Sequence, residues 1–138
     1  MKNVLLPFFL CLVCSGCGPI DQFWLSGSLR ISSREQVAFL HQLRAHQLPV
    51  SERTIAIVKD ILIQEETPDY VLRGKTGWAV ATEPHLGCYV GWLDRADEAY
   101  IFALTMDIRP PADAALRQTI VRRVFQEMGL LEGGSRSN

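Results

Sequence analysis

The sequence lacks a strong excess of charge of either sign. Its 138 residues include 14 Lys and Arg and 15 Asp and Glu, which gives a formal net charge of -1. Nucleic-acid-binding surfaces are usually basic patches or stripes, and here the basic residues are scattered, so we expect no nucleic-acid partner. No internal repeat is found, and the composition, 48% apolar and 21% charged, is typical of one globular domain.

Long hydrophobic runs are scarce, and the single one lies near the start of the chain. Lys2 precedes an apolar run at residues 4–14, and the small residues of "SGCG" follow. The pattern predicts a secretory signal at residues 1–18, because the run is too short to span a bilayer stably; a buried core segment is the alternative. We therefore expect export to the periplasm and no membrane span beyond the signal.

Cysteine is also sparse, with four residues in the chain. Cys11, Cys14 and Cys17 lie in or beside the apolar run, and Cys88 is alone in the remainder, so we expect no internal disulfide. The three early cysteines have the spacing C-x2-C-x2-C, which would suit a zinc or iron–sulfur site, but a fourth nearby ligand is missing. We expect neither metal nor cofactor. Cys17 follows small residues and is a candidate lipid-anchor site, although Cys14 stands where lipoprotein signals usually have an aliphatic residue.

Three segments have the periodicity of amphipathic helices. Ser33 with Gln36 resembles a capping box at the start of the first, and Ser51 is a typical N-cap for the second. Asp113 is the predicted N-cap of the third, and Gly129 its stop. Apolar residues recur along each helix: Val37, Phe39, Leu40 and Leu43; Ile55, Ile57, Val58, Ile61 and Leu62; Leu116, Ile120, Val124 and Met128.

Three extended segments lie between the second and third helices. They cover residues 70–80, 87–94 and 99–108, and the loops between them are short enough for antiparallel neighbours. The second and third are apolar at nearly every position, so we expect both faces of the sheet to be covered. The order of elements predicts an α+β fold, in which helices pack on an antiparallel sheet of three strands.

The word Lys75-Thr76-Gly77 on the first strand is suited to holding an anionic ligand. Lys-Thr-Gly before a hairpin is a signature of serine β-lactamases and penicillin-binding proteins. Around it, "DQFWLSGSLRIS", "EQVAFLHQL", "LPVSERT", "IVKDILIQE", "LRGKTGW", "YVGWLDR" and "FALTMDI" occur in this order. Together they resemble the second half of a class D β-lactamase, over residues 19–131. A polar tail at 132–138 follows.

The resemblance implies site residues and a ligand class, β-lactam small molecules. Lys75 and Thr76 resemble the pair that positions the substrate carboxylate and shuttles protons, while Gly77 lets the substrate amide approach the strand. The Trp78 N–H matches an oxyanion-hole donor. Arg117 matches the arginine that pairs with the drug's carboxylate. Two further residues match the wall around the family's N-carboxylated lysine: Trp24 and Leu25.

The sequence departs from the family at the residues that carry the chemistry. The family's nucleophile and general base form a Ser-x-x-Lys motif, and none of the eight serines here has a lysine three positions later. The family's Ser-x-Val and Tyr-Gly-Asn words are also absent. We therefore expect a truncated, inactive form of a β-lactam hydrolase, with one sheet edge and apolar helix faces uncovered, and marginal stability or aggregation. The alternatives are a β-lactam sensor module and a fragment that complements a separate N-terminal half.

Overall fold

The computed structural model describes residues 31–80 and 83–131. Trp24, Leu25 and Cys17 lie outside these ranges, as do the signal and tail predictions. The elements in chain order are α1 (Ser33–Arg44), α2 (Glu52–Ile61), β1 (Ile63–Glu66), β2 (Val71–Ala79), β3 (His85–Arg95), β4 (Glu98–Ile108), a 3₁₀ turn (Pro111–Ala115) and α3 (Leu116–Glu127). Within the described residues, no helix is long and apolar enough to cross a membrane.

The sheet is antiparallel, and each strand pairs with the next one along the chain, in the order β1-β2-β3-β4. The α+β architecture is therefore as predicted, but the sheet has four strands instead of three. The additional strand, β1, is a four-residue edge segment, "IQEE", that pairs with Val71–Arg73 across an irregularity. A segment this short and polar has little β-propensity, and it forms a strand because it pairs with β2.

One close approach between β2 and β3 requires glycine. A Cβ at Gly91 would lie 2.0 Å from the main-chain oxygen of Arg73 and 2.7 Å from the Cα of Gly74, its partner across the ladder. Both contacts are with backbone, which cannot rotate away as a side chain can. The two strands therefore keep their spacing here because Gly91 carries no side chain.

The capping pattern of α1 begins one residue earlier than predicted. Ser32 is the N-cap, its hydroxyl accepts from the Glu35 N–H, and the Glu35 carboxylate accepts in return from the Ser32 N–H at 2.8 Å. The prediction of Ser33 with Gln36 was wrong because the sequence "SSREQ" contains two overlapping boxes, and the carboxylate forms the stronger, charge-assisted bond. At α2, Ser51 is the N-cap, as predicted.

The start of α3 also differs from the prediction. Asp113 lies inside the 3₁₀ turn, and α3 begins at Leu116 without a side-chain cap, because the turn itself leads into the helix. Gly129 ends the helix with φ at +70°, as predicted. The buried face of α3 contains Arg117, Val121 and Phe125. The predicted apolar repeat at 116, 120, 124 and 128 is exposed to solvent.

Helices cover both faces of the sheet, as predicted. On one face, Trp92 packs with Leu40, Leu43 and Ile55 of the first two helices. On the other face, residues of α3 and of the strands form a second buried cluster: Tyr70, Leu72, Tyr89, Leu93, Val121, Phe125 and Leu130. The broad apolar face of α2 is covered only in part, since Ile57 and Ile61 are 50% and 72% exposed.

Candidate functional site

The Lys75-Thr76-Gly77 motif lies on the part of β2 that does not pair with β1. β1 pairs with β2 only as far as Arg73, and the Gly74 N–H donates to Leu62 O at 2.8 Å on the same side. Alternate residues of a strand direct their backbone groups to the same side. The N–H groups of Thr76 and Trp78 therefore face the β1 side, where the described part of the chain places no further strand.

A groove follows this open edge. Its volume is about 560 Å³, and its walls come from β2, the neighbouring strands and the start of α1: Ile31, Gln36, Lys75, Thr76, Gly77, Trp78, Ala79, Leu86, Cys88 and Thr105. The structure thus brings four consecutive predicted site residues, 75 to 78, into one surface. The combination of outward N–H groups, a hydroxyl and an ammonium is suited to an anionic, amide-containing ligand.

The side chains of Lys75 and Thr76 lie on opposite faces of β2. Lys75 is exposed, shares a face with its partner Val90, and donates from Nζ to the main-chain oxygen of Thr76. Thr76 is half-buried and pairs with Tyr89 on the α3 side. Burial raises the pKa of the Tyr89 phenol above its ordinary value, which keeps the ring neutral beneath this part of the strand.

Arg117 connects the start of α3 to the same strand. It is the one buried charged residue among those described, with 8% of its surface exposed. Its guanidinium donates to Gly77 O, and its Nε donates to Ala114 O at 2.7 Å. A Cβ at Gly87 would lie 3.0 Å from Arg117 Cδ, so this glycine leaves room for the arginine. The predicted carboxylate-binding arginine is therefore held against the site strand by main-chain oxygens.

Gly77 has a structural role besides the predicted approach of substrate. A Cβ at this position would lie 2.7 Å from the Sγ of Cys88, its cross-strand partner. A side chain at 77 would therefore displace a thiol that lines the groove. Sequence reasoning did not place Cys88 in the site, because its pairing with Gly77 depends on the register that the loop between β2 and β3 sets.

His85 is a second residue that sequence reasoning missed. The Trp78 indole Nε1 donates to its Nδ1 at 3.2 Å, and the two rings lie 6.0 Å apart at an interplanar angle of 57°. Trp78 is 42% exposed, so this contact orients a large side chain at the rim of the groove. The single sequence signal was the position of the histidine at the start of the returning strand.

An apolar cavity adjoins the groove. It has a volume of about 400 Å³, and Ile31, Gln36, Lys75 and Cys88 line both spaces. Its remaining walls come from the sheet and the two helices before it: Phe39, Leu40, Leu43, Val58, Leu62 and Val90. Among the described lining residues, Lys75 alone carries an ammonium group, and it lies where the apolar cavity meets the groove.

Residues suited to holding a metal do not cluster in the described ranges. Among residues 31–80 and 83–131, no three or more His, Cys, Asp and Glu side chains lie together in a suitable arrangement.

Comparison with known proteins identifies the family to which the chain belongs. The penicillin-binding protein transpeptidase domain model matches residues 15–126. The chain belongs to this family, among the class D β-lactamases. Beta-lactamase OXA-48 of Klebsiella pneumoniae is 41% identical over 110 residues, which are 80% of this chain and 42% of that protein.

Solved class D structures share the fold. A class D β-lactamase from Nostoc, YbXI, superposes with a TM-score of 0.78 at 48% identity, over 80% of this chain and 46% of that one. FUS-1 (OXA-85) from Fusobacterium nucleatum subsp. polymorphum has a TM-score of 0.78 at 39% identity, over 81% and 47%. The chain thus spans less than half the length of these class D relatives.

Proposed function

We propose that this chain forms the strand wall of a β-lactam-binding cleft, with penicillins and related β-lactams as its ligands. The open edge of β2 carries the proposal, because the Thr76 and Trp78 N–H groups face a groove that Lys75 also lines. A β-lactam presents an amide that can bond to a strand edge and a carboxylate that can accept from a hydroxyl, an ammonium or a guanidinium. Membership of the class D family supports this ligand class.

We further propose that the 138-residue chain does not hydrolyse β-lactams on its own. Acyl transfer needs an activated nucleophile and a base, which the family supplies as Ser-x-x-Lys. No serine in this sequence has a lysine three residues later. The groove thus has donors for the substrate and for a developing oxyanion, but this sequence contains no Ser-x-x-Lys motif to form the acyl-enzyme.

Binding and turnover can be tested on the same preparation. Ligand-observed NMR with a penicillin should show binding that Thr76→Val weakens, because the substitution removes the hydroxyl without changing the size of the side chain. Thr119→Val, at an exposed position on α3, is the matched control and should bind as the parent does. Intact-protein mass spectrometry should show no covalent adduct, and a chromogenic cephalosporin should not be consumed.

Two results would contradict these proposals separately. Absence of binding by the folded parent chain would exclude the β-lactam cleft. A penicillin adduct or sustained turnover would show that another residue attacks the lactam, and the proposed inactivity would then be wrong.

We also propose that the chain is exported to the periplasm and that Cys17 is lipidated. The apolar run after Lys2 and the small residues before Cys17 support them. Cell fractionation with fatty-acid labelling tests both: export predicts loss of residues 1–18 or cleavage just before Cys17, and lipidation predicts label that Cys17→Ser removes. Full-length chain in the cytoplasmic fraction would contradict export, and unlabelled mature chain would contradict lipidation.

A further inference from the structure

The Trp78 N–H, which faces the groove, belongs to a residue near the end of β2. Ala79, the next residue, forms the last pair of the β2–β3 ladder, with Leu86. Because the Gly74 N–H points toward the β1 side, the same alternation directs the N–H and C=O groups of Trp78 away from β3. Residue 78 therefore contributes no hydrogen bond of its own to the β2–β3 ladder, and its side chain is what ties it to β3.

The Trp78 side chain reaches a diagonal neighbour on β3. Its directly opposite partner is Gly87, where a Cβ would lie 2.4 Å from Ile108 Cδ1 and 3.0 Å from Arg117 Cδ. Diagonal positions of an antiparallel pair are within reach of large aromatic side chains. The diagonal residue is His85, and the indole Nε1 donates to its Nδ1 at 3.2 Å. This hydrogen bond ties residue 78 to β3 across the strand pair.

The same hydrogen bond determines the tautomer of His85. An indole N–H can only donate, so the Nδ1 atom that accepts from it carries no proton, and the neutral imidazole holds its proton on Nε2. Nε2 lies 3.3 Å from Oε1 of Glu83, and this carboxylate can accept a hydrogen bond from it. Glu83 thus favours the tautomer that the indole of Trp78 requires.

His85 is held more firmly than the tryptophan that it contacts. It is the first residue of β3, a strand that pairs with β2 on one side and β4 on the other. Its backbone is opposite Ile108 of β4, and its side chain is 29% exposed. Trp78, in contrast, lies on the part of β2 beyond the pairing with β1. The histidine therefore serves as the fixed point, and the tryptophan is the residue that it restrains.

We propose that His85 is a positioning residue for the Trp78 N–H. Its Nδ1 holds the indole, and the indole holds the backbone of residue 78 so that the N–H points into the groove. The proposal rests on the proposed β-lactam-binding function, in which this N–H bonds to the ligand. A donor that is already oriented reduces the entropy lost when a ligand binds. His85 thus contributes to affinity without touching the ligand.

Two substitutions separate the hydrogen bond from the ring contact. His85→Asn removes the ring but places an amide oxygen near the position of Nδ1, whereas His85→Phe keeps an aromatic ring against Trp78 and removes the acceptor. In ligand-observed NMR with a penicillin, His85→Phe should weaken binding about threefold or more, and His85→Asn should stay within about twofold of the parent. His41→Phe, at an exposed position on α1, is the matched control and should bind as the parent does.

A second measurement needs no ligand. In nitrogen relaxation of the labelled full chain, the Trp78 backbone N–H should have an order parameter of about 0.85, typical of rigid backbone, and His85→Phe should lower it toward about 0.6. His85→Asn should keep the parent value. The indole N–H signal of Trp78 should lose its hydrogen-bonded shift in His85→Phe alone. Circular dichroism verifies that each variant is folded.

Three results would contradict separate parts of this account. A folded parent chain that binds no penicillin would exclude the β-lactam cleft, while the order parameters would still decide whether His85 positions residue 78. Equal order parameters in the parent and His85→Phe, or equal losses in the Phe and Asn variants, would overturn the positioning role. A His85→Phe variant that loses rigidity at residue 78 but keeps its affinity would overturn the contribution of His85 to binding.

Discussion

Arg117 on α3 donates a hydrogen bond to the main-chain oxygen of Gly77, a residue 40 positions earlier on β2. This bond joins the first turn of the last helix to the strand that carries the Lys-Thr-Gly word. Because Arg117 is buried and also bonds to Ala114 O, its guanidinium is held in one position. The carboxylate-binding role that the family resemblance implies for this arginine thus coincides with a structural one.

We expect Arg117→Ala to destabilise the fold and to abolish β-lactam binding. The substitution leaves Gly77 O and Ala114 O without their charged donor, and hydrogen bonds to charged groups contribute about 1.5–3 kcal/mol each. Because two such bonds are lost, urea unfolding should show a loss of about 3 kcal/mol or more. Arg123→Ala, whose side chain is 72% exposed in an i, i+4 pair with Glu127, should lower the free energy of unfolding by less than about 0.5 kcal/mol. Equal effects of the two substitutions would show that the buried hydrogen bonds of Arg117 contribute no more to stability than the exposed ion pair of Arg123.

Asp94 joins three elements, and we expect Asp94→Ala to be among the most damaging polar substitutions. Its carboxylate accepts from Arg44 of α1 and Arg73 of β2, each at 2.7 Å, and from the Trp92 indole at 2.8 Å. The substitution should cost about 2–4 kcal/mol, because it leaves two arginines close together without their anion. Thermal unfolding by calorimetry measures this cost, with Asp60→Ala on the exposed side of α2 as the control. A midpoint within the range of the control would contradict the assigned role.

Stability should fall on acidification in part because the Glu65 carboxylate becomes protonated. Hydrogen bonds from Arg122 and then from the Tyr70 hydroxyl hold the pKa of Glu65 below its usual value of 4.5. A lowered pKa means that this contribution is complete above about pH 4.5 and is lost as the pH falls through the lower value in the folded protein. We therefore expect the urea midpoint to decrease between pH 5 and pH 3, and Glu65→Gln to flatten that decrease. Glu66→Gln, on the exposed neighbour in β1, should leave the slope unchanged; identical slopes in both variants would refute the assignment.

Two glycines should respond to alanine for different reasons. Gly91→Ala places a methyl group against the backbone of Arg73, so we expect a loss of about 3 kcal/mol or failure to fold. Gly129→Ala meets no atom within 4 Å but must hold φ at +70°, which should cost about 1 kcal/mol. Soluble yield and chemical unfolding measure both. The steric argument fails if Gly91→Ala is tolerated better than Gly129→Ala.

Local sequence signals predicted most of the helices and strands, but not all of their boundaries, pairings and buried faces. The N-cap at Ser51 and the stop at Gly129 were recoverable because each is a single residue with one strong preference. The start of α1 was not, since "SSREQ" offers two overlapping capping boxes. β1 was missed because its pairing with β2, not its own sequence, makes it a strand. In α3 the four-residue apolar repeat predicted the helix. The face that packs on the sheet is the neighbouring one, which contains Arg117, Val121 and Phe125.

The sequence could group only those candidate site residues that are neighbours along the chain. Residues 75 to 78 lie on one strand, so one motif placed them together, and the resemblance added Arg117, which the structure brings to Gly77. Cys88 and His85 were missed because they reach the groove through the β2–β3 register, which depends on the loop between the strands. Trp24 and Leu25 lie outside the described residues, and their predicted role as a pocket wall stays a prediction.

The sheet order has a consequence for the time course of folding. β2, β3 and β4 follow each other directly and pair along nearly their whole lengths, so their ladders close only short loops of chain. Short loops close quickly and at low entropic cost, whereas α1 must return over more than fifty residues to reach β4. We expect the three-strand meander to form first and to offer the surface on which the helices assemble.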